Sequence, residues 1–161
     1  MKRTRIDWIK LLGAISLSSL AAVLGSTATV SSVTSWYPTL NKPWFSPPNW
    51  IFGPVWTLLY IMMGIALYLV WEKGYTKKNV RFAFWLFVVH LGFNAAWSIV
   101  FFGLQSLLGG LVIILILWTL IVALIRKFYR IARTAAYLLV PYLAWVSFAT
   151  VLNCAVWLLN R

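Results

Sequence analysis

The sequence predicts an all-α membrane protein, a bundle of five transmembrane helices in a single domain spanning residues 1–161. Hydrophobic residues make up 63% of the chain, charged residues only 10%, and the mean hydropathy is +0.88. Soluble proteins carry far more charge. The net charge of +12 resides in short clusters between apolar runs, which indicates membrane topology, and no nucleic acid partner is expected.

Five apolar runs have the length that a hydrocarbon core of ~30 Å requires, about 20 residues each. Pro141 falls inside the last run, where a proline removes a backbone hydrogen bond and usually kinks a helix. Such a break marks either a simple bend or a helix that lines a pocket. The predicted helices cover residues 9–30, 51–70, 82–102, 107–125 and 135–159, and residues 31–50 form the longest connection.

The first run has a basic start and a small-residue stretch at 25–28, features that also describe a secretory signal peptide. Its apolar part is longer than a typical signal core. Four small residues also recur every four positions, which makes a smooth face for close helix packing, so a retained helix is expected. These residues are Ala14, Ser18, Ala22 and Ser26.

The basic residues predict how the chain is oriented. Only Lys42 and Arg161 lie on one side, and the other twelve lie on the opposite side. By the positive-inside rule, the N-terminus is cytosolic and the C-terminus is outside. With no transit peptide evident, a prokaryotic cell membrane is expected, and an organellar outer membrane is the alternative. The twelve are Lys2, Arg3, Arg5, Lys10, Lys73, Lys77, Lys78, Arg81, Arg126, Lys127, Arg130 and Arg133.

The segment of residues 36–60 is unlike an ordinary polar loop, because prolines fix its backbone and hold its aromatic side chains in place. The predicted orientation directs it outward, as a lid over a ligand site. The aromatic residues that motivate this interpretation are Trp36, Tyr37, Trp44, Phe45, Trp50 and Trp56, and the prolines are Pro38, Pro43, Pro47, Pro48 and Pro54.

Helical spacing places polar and aromatic residues on one face of three predicted helices. Because an amide facing lipid is costly, Asn94 and Asn153 are expected to point inward, to each other, to a backbone group or to a ligand. Trp56 and Trp145 lie about one to two turns inside the outer ends of their helices, beneath the lid. The three faces are Phe52, Trp56, Tyr60 and Gly64; His90, Asn94, Trp97 and Phe101; and Trp145, Ala149 and Asn153.

The few ionisable residues limit the reactions, transport mechanisms and metal sites that can be expected. Asp7 and Glu72, the only acids, fall at the cytosolic ends of helices, so no carboxylate serves proton-coupled transport or paired-carboxylate hydrolysis. Cys154 stands alone, and His90 has no second histidine or acid within reach on its helix. A packed, hydrogen-bonded histidine is therefore expected, with no metal site and no required cofactor.

Three blocks, in this order and spacing over nearly the whole chain, resemble the TspO/MBR family. This family comprises the tryptophan-rich sensory proteins of bacteria and includes the mitochondrial translocator protein, also called the peripheral benzodiazepine receptor. The blocks are WYPTLNKPWFSPPNWIFGPVWTLLY at 36–60, FNAAWSIVFFG at 93–103 and VPYLAWVSFATVLNCAVW at 140–157.

The resemblance implies a five-helix bundle, often a homodimer, with a ligand cavity closed by the outer loop. It implies porphyrin or haem as the ligand, because family members bind tetrapyrroles, and mitochondrial relatives also bind cholesterol and drug-like compounds. Tyr60 and His90 complete the candidate site through their helical faces. The matched cavity positions are Trp36, Pro47, Pro48, Trp56, Asn94, Trp97, Trp145, Ala149 and Leu152.

The chain also departs from the family pattern. Many members carry glutamine at the position of His90, and Gly109 and Gly110 stand where some relatives carry an aromatic residue. The cholesterol motif of mitochondrial relatives needs a tyrosine in place of Cys154 and a basic residue soon after it. The next basic residue is Arg161, so cholesterol recognition by that motif is not expected.

Three function classes compete. A tetrapyrrole-binding receptor or regulator is favoured by the dense aromatic site. An enzyme would degrade porphyrin with light and oxygen, and the resemblance assigns Trp56 and Trp145 as its catalytic residues. A transporter of porphyrins or other hydrophobic small molecules would need access from both sides. The expected homodimer is supported by small-residue faces at Ala14/Ser18/Ala22 and Gly92/Ala96.

Overall fold

The computed structural model describes residues 6–161, and within that range every regular element is helical. Three of the basic residues that were used to predict the orientation, at positions 2, 3 and 5, lie outside this range. Five helical segments are long and apolar enough to cross a membrane, which confirms the predicted fold class. The elements are α1 (Trp8–Thr34), α2 (Phe52–Trp71), α3 (Lys78–Ser98), α4 (Leu107–Ile131), α5 (Arg133–Leu138) and α6 (Val140–Leu159).

Two of the helices have a side-chain cap at their N-terminus. Asp7 precedes α1 and its carboxylate accepts a hydrogen bond from the backbone N–H of Lys10 at 3.2 Å. Ser106 does the same for α4, accepting from the N–H of Gly109 at 3.2 Å. Each cap pairs a backbone donor that the first helical turn leaves without a partner.

Both acids of the chain are held by one lysine at the end of the bundle where α1 begins. The Lys10 Nζ lies 2.9 Å from the carboxylate of Asp7 and 3.1 Å from that of Glu72. The hydrogen bond from Lys10 holds the pKa of Asp7 below its usual value. This contact ties the start of α1 to the end of α2.

Small residues let α1 approach its neighbours closely, although the face differs from the predicted one. Ala14 and Ser18 are buried as expected, whereas Ser26 is exposed and Ala21 and Gly25 are buried instead. The buried residues Ala14, Ser18, Ala21 and Gly25 are spaced by four, three and four positions. This spacing keeps them on one side of a helix with 3.6 residues per turn, whereas repeated steps of four move progressively around the helix.

Gly64 of α2 lies against this part of α1. A Cβ at Gly64 would stand 2.8 Å from the Cα of Ile15. The expectation that Gly64 belongs to the wall of a ligand site is therefore wrong. The residue serves helix packing, where the absence of a side chain lets two backbones approach.

Hydroxyl groups join α1 to α3 in the half of the bundle that carries the loop between α1 and α2. Ser98 donates to the carbonyl of Gly25 at 2.8 Å and also pairs with Thr29. Ser32 donates at 2.7 Å to the carbonyl of Phe102, which lies in a π-helical turn, Ile99–Gly103, that continues α3. These bonds fix the end of α3, where Trp97 and Phe101 belong to the candidate site.

The fifth span is interrupted at the predicted place. Its first segment ends at Leu138, and Pro141 occupies the first turn of α6, where its missing N–H removes no helical hydrogen bond. Both segments pack against α4, whereas α2 packs mainly against the first segment, α5. The break thereby separates α6 from α2 and leaves a gap between them.

Adding a methyl group to Gly64 tests the close approach of α1 and α2. We expect Gly64→Ala to destabilise the protein by about 1–3 kcal/mol, because the backbone of Ile15 cannot move aside cheaply. Thermal unfolding in a single detergent measures the effect. Gly53→Ala on the same helix is the matched control, because nothing lies within 4 Å of a Cβ there. An equal loss of stability in both variants would contradict the packing role.

Candidate functional site

Aromatic rings from three helices converge on Trp56. Its ring centroid lies 5.6 Å from that of Tyr60, 6.3 Å from that of Trp97 and 6.2 Å from that of Tyr142. These side chains come from α2, α3 and α6. We call these four aromatic residues and Asn94 the interior cluster.

A directional chain of hydrogen bonds crosses the interior cluster. The hydroxyl of Tyr60 donates to the Oδ1 of Asn94, whose Nδ2 donates to the hydroxyl oxygen of Tyr142 at 2.9 Å. The hydroxyl of Tyr142 lies 3.1 Å from the Nε2 of His90. The Nδ1 of His90 lies 3.1 Å from the carbonyl oxygen of Phe87.

The two ends of this chain determine the protonation of His90. The carbonyl of Phe87 can only accept, so the hydrogen resides on Nδ1 and the Nε2 accepts from Tyr142. His90 is thus a neutral, fully buried histidine whose two ring nitrogens are both engaged. It lies behind the aromatic rings and contacts the hydroxyl of Tyr142 through Nε2.

A second polar pair lies between the interior cluster and the loop that joins α1 to α2. The indole N–H of Trp97 donates to the Oδ1 of Asn153 at 3.3 Å, and the Nδ2 of Asn153 donates to the carbonyl of Leu107 at 3.0 Å. Gly110 leaves room for this arrangement, because a Cβ there would stand 3.1 Å from the Oδ1 of Asn153. Asn94 and Asn153 therefore both point inward, but to different partners.

Above this pair the interior is nearly filled. The cavity has a volume of about 20 Å³, enough for about one water molecule. Pockets that bind drug-sized ligands have volumes of about 300–1,000 Å³, so binding of such a ligand here requires side chains to move. The lining residues are Tyr37, Phe52, Trp97, Phe101, Phe102, Ala149, Leu152, Asn153 and Val156.

The loop between α1 and α2 covers this cavity. Tyr37 is 2% exposed and packs its ring edge to face against Phe52 and Phe102. Burial raises the pKa of Tyr37, so its phenol stays neutral. Trp36 beside it contacts Phe101 with 5.8 Å between ring centroids. The predicted role of this segment as a cover over an aromatic site agrees with these contacts.

Hydrogen bonds fasten the loop at two places. The side-chain amide of Asn160, at the end of α6, both accepts from the backbone N–H of Asn41 at 3.0 Å and donates to its carbonyl at 2.9 Å. Asn49 donates to the carbonyl of Val33 in α1 at 3.3 Å. The loop is therefore tied to α1 and to α6, and α6 lines the cavity.

The structure separates the predicted site residues into groups. Pro47 is half-buried in the loop and Pro48 is exposed, so the aromatic side chains, and not these prolines, form the interior wall. His90 lies in a second layer and Trp145 faces a different space. The predicted residues that surround the interior are Trp36, Trp56, Tyr60, Asn94, Trp97, Ala149 and Leu152.

Trp145 lines a larger space, which we call the lateral groove. The ring of Trp145 lies 6.0 Å from that of Phe52 and 5.7 Å from that of Phe148. The groove runs between α2 and α6, has a volume of about 420 Å³ and is open on the side of the bundle. Its lining residues are Val55, Leu58, Leu59, Met62, Pro141, Ala144, Trp145 and Phe148.

Sequence reasoning missed Tyr142, the residue that links the ring of Trp56 to His90. The signal was present, because Tyr142, Val146, Ala149 and Asn153 are spaced by four, three and four residues, and all are buried. The simpler pattern of steps of four includes Trp145, which lies at the edge of this face and so reaches the groove.

These features define a multi-pass membrane protein with an aromatic, internally hydrogen-bonded site beneath a proline-rich loop. Residues 14–158 match the model of the TspO/MBR family. The chain belongs to this family, as the sequence blocks predicted, and is an integral multi-pass membrane protein.

Individual relatives are similar in sequence to this chain over almost their full length. The chain is 45% identical over 152 residues to the tryptophan-rich protein TspO of Archaeoglobus fulgidus, covering 94% of this chain and 97% of that protein. It is 38% identical over 152 residues to the translocator protein of Homo sapiens, covering 93% and 89%. It is 34% identical over 158 residues to the tryptophan-rich sensory protein of Cereibacter sphaeroides, covering 96% and 94%.

Removing the hydroxyl of Tyr142 tests the hydrogen-bond chain. We expect Tyr142→Phe to destabilise the protein by at least about 1–3 kcal/mol, because Asn94 and His90 each lose a buried partner. Thermal unfolding in detergent measures the loss. Tyr137→Phe on α5 is the control, since that side chain is 61% exposed. Equal stability of the two variants would show that the chain contributes nothing.

Proposed function

We propose that this protein is a membrane receptor or regulator that binds a tetrapyrrole, porphyrin or haem. The observation that carries this proposal is the convergence of Tyr60, Trp97 and Tyr142 on the ring of Trp56. Flat aromatic faces stack on a flat macrocycle, and neutral, paired polar groups leave the surroundings apolar. Membership of a family whose relatives are named sensory and translocator proteins supports it.

The packed interior supports a receptor in particular. With about 20 Å³ of free volume, the site cannot take a macrocycle unless Tyr37, Phe52 or their neighbours move. A ligand whose binding requires such movement shifts the protein between two conformations, which is what a sensing protein needs. Binding would then be coupled to the loop, because Tyr37 belongs to it.

The membrane, orientation and assembly of the protein also belong to this proposal. We place the end of the bundle that carries Lys73, Arg81 and Arg130 in the cytosol of a prokaryotic cell. A homodimer would use the side of α3 at Gly92, which is exposed and has open space above it. Ala14 and Ser18 are buried within their own chain and leave that interface unsupported by α1.

Titration with protoporphyrin in the dark tests binding. We expect saturable quenching of tryptophan fluorescence in the purified protein, with affinity reduced several-fold in Trp56→Phe, which keeps a ring but loses about 0.5–1.5 kcal/mol of aromatic contact. Trp85→Phe is the matched control, because Trp85 is exposed on α3. Without saturable quenching of the wild-type protein, the proposal is wrong.

Illumination of the same sample in air separates a receptor from an enzyme. A receptor is expected to leave the porphyrin spectrum decaying no faster than in detergent alone. Accelerated decay with a new product band, abolished in Trp145→Phe, would instead make the protein a porphyrin-degrading enzyme. In that case the indoles would act as electron donors to the photo-excited ring.

A further inference from the structure

The lateral groove opens toward the hydrocarbon interior of the membrane. Leu58 is 58% exposed, and Pro141 and Ala144 are also exposed, although all three lie within membrane-spanning segments. Any molecule that occupies the groove therefore arrives from the bilayer and not from water. All eight lining residues are apolar or aromatic, so the inserted part of that molecule must be apolar as well.

The shape of the groove follows from the break in the fifth span. Because α4 packs along both segments while α2 packs mainly against α5, the second segment diverges from α2 beyond Leu139. Pro141 lies at the inner end of the resulting gap and lines it. At the outer end the ring of Phe45, from the loop, packs against Phe148 with 6.4 Å between centroids.

The rings of Trp145 and Phe52 lie between the groove and the covered interior. Trp145 lines the groove, and its ring lies 6.0 Å from that of Phe52, which lines the interior cavity. A change of rotamer at Trp145, together with movement of Phe52, would connect the two spaces.

The route through the loop is more tightly closed than the lateral groove. Tyr37 fills the space above the cavity and is 2% exposed. Asn41 and Asn160 exchange two hydrogen bonds, and Asn49 is bonded to α1. A ligand that arrived from the outer water would have to break these contacts, whereas a ligand in the bilayer meets a groove that is already about 420 Å³ in volume.

We infer that the tetrapyrrole reaches the interior cluster sideways from the bilayer, through the lateral groove between α2 and α6, with Trp145 as the movable wall. This inference rests on the proposed function. A flat macrocycle dissolved in the membrane presents an apolar face to the groove, and the groove volume lies within the range of small-molecule sites. The ring passes Trp145 and then stacks on the interior cluster.

Filling the groove tests the route. Protein in phosphatidylcholine nanodiscs is mixed with protoporphyrin-loaded vesicles, and tryptophan quenching is followed in a stopped-flow instrument. We expect Ala144→Phe to slow both association and dissociation at least about tenfold, with little change in affinity, because a blocked route changes rates and not the final complex.

Two control variants distinguish the groove from the loop. Val112→Phe adds similar bulk to an exposed position on α4 and is expected to leave the rates unchanged. Asn160→Ala removes the fastening of Asn41 and is also expected to leave association unchanged. Faster association in Asn160→Ala, with wild-type rates in Ala144→Phe, would overturn the inference in favour of the loop. Weaker affinity in Ala144→Phe at unchanged association would also overturn it, since the ring would then be held in the groove.

A ligand-free measurement keeps this inference separate from the proposed function. Phospholipids with brominated acyl chains quench tryptophans that they contact, so the difference between wild type and Trp145→Phe reports on Trp145. We expect that difference to be large and to disappear in Ala144→Phe. Lack of quenching of Trp145 would refute an open groove even if porphyrin binds, whereas quenching without porphyrin binding would refute the proposed ligand alone.

Discussion

The bilayer offers no hydrogen-bond partner, and this constraint determines how the interior of the protein is built. Within the described membrane spans every buried side-chain nitrogen or oxygen is paired with another group of the protein. The chain from Tyr60 through Asn94 and Tyr142 to His90 satisfies four polar side chains at once. It ends on a backbone carbonyl, that of Phe87, and so needs no water. The aromatic rings of α2, α3 and α6 are positioned by these bonds.

The same pairing explains why the site is apolar although it contains so many polar atoms. A phenol or amide whose hydrogen bonds are all made presents mainly its ring or its stem to a neighbour. Trp56 is therefore surrounded by flat faces and not by charge. The loop completes the enclosure with Tyr37, and the remaining free volume of about 20 Å³ makes the closed form well packed. A ligand could therefore enter this interior only if side chains moved.

Much of this arrangement was predictable from residues along the chain. The spacing of His90, Asn94, Trp97 and Phe101 predicted one face of the third helix, and all four are buried, three in α3 and Phe101 in the π-helical turn that continues it. Pro141 predicted the interruption of the fifth span, since a proline cannot donate to the preceding turn. Predictions from spacing along the chain were wrong where two helices pack against each other. Gly64 fitted the aromatic face of α2 by spacing, yet its place is set by Ile15, which is 49 residues away in sequence.

The sequence alone determined the fold class, the family, the five membrane spans and the aromatic character of the site, because hydropathy, helical period and proline are local properties of a chain. Only the tertiary structure decided that Tyr142 bonds to both Asn94 and His90, that Trp145 faces the groove instead of the interior, and that the loop is fastened to α6 through Asn160. Each of these depends on the relative rotation of helices distant in sequence, which is fixed by the summed packing of the whole bundle.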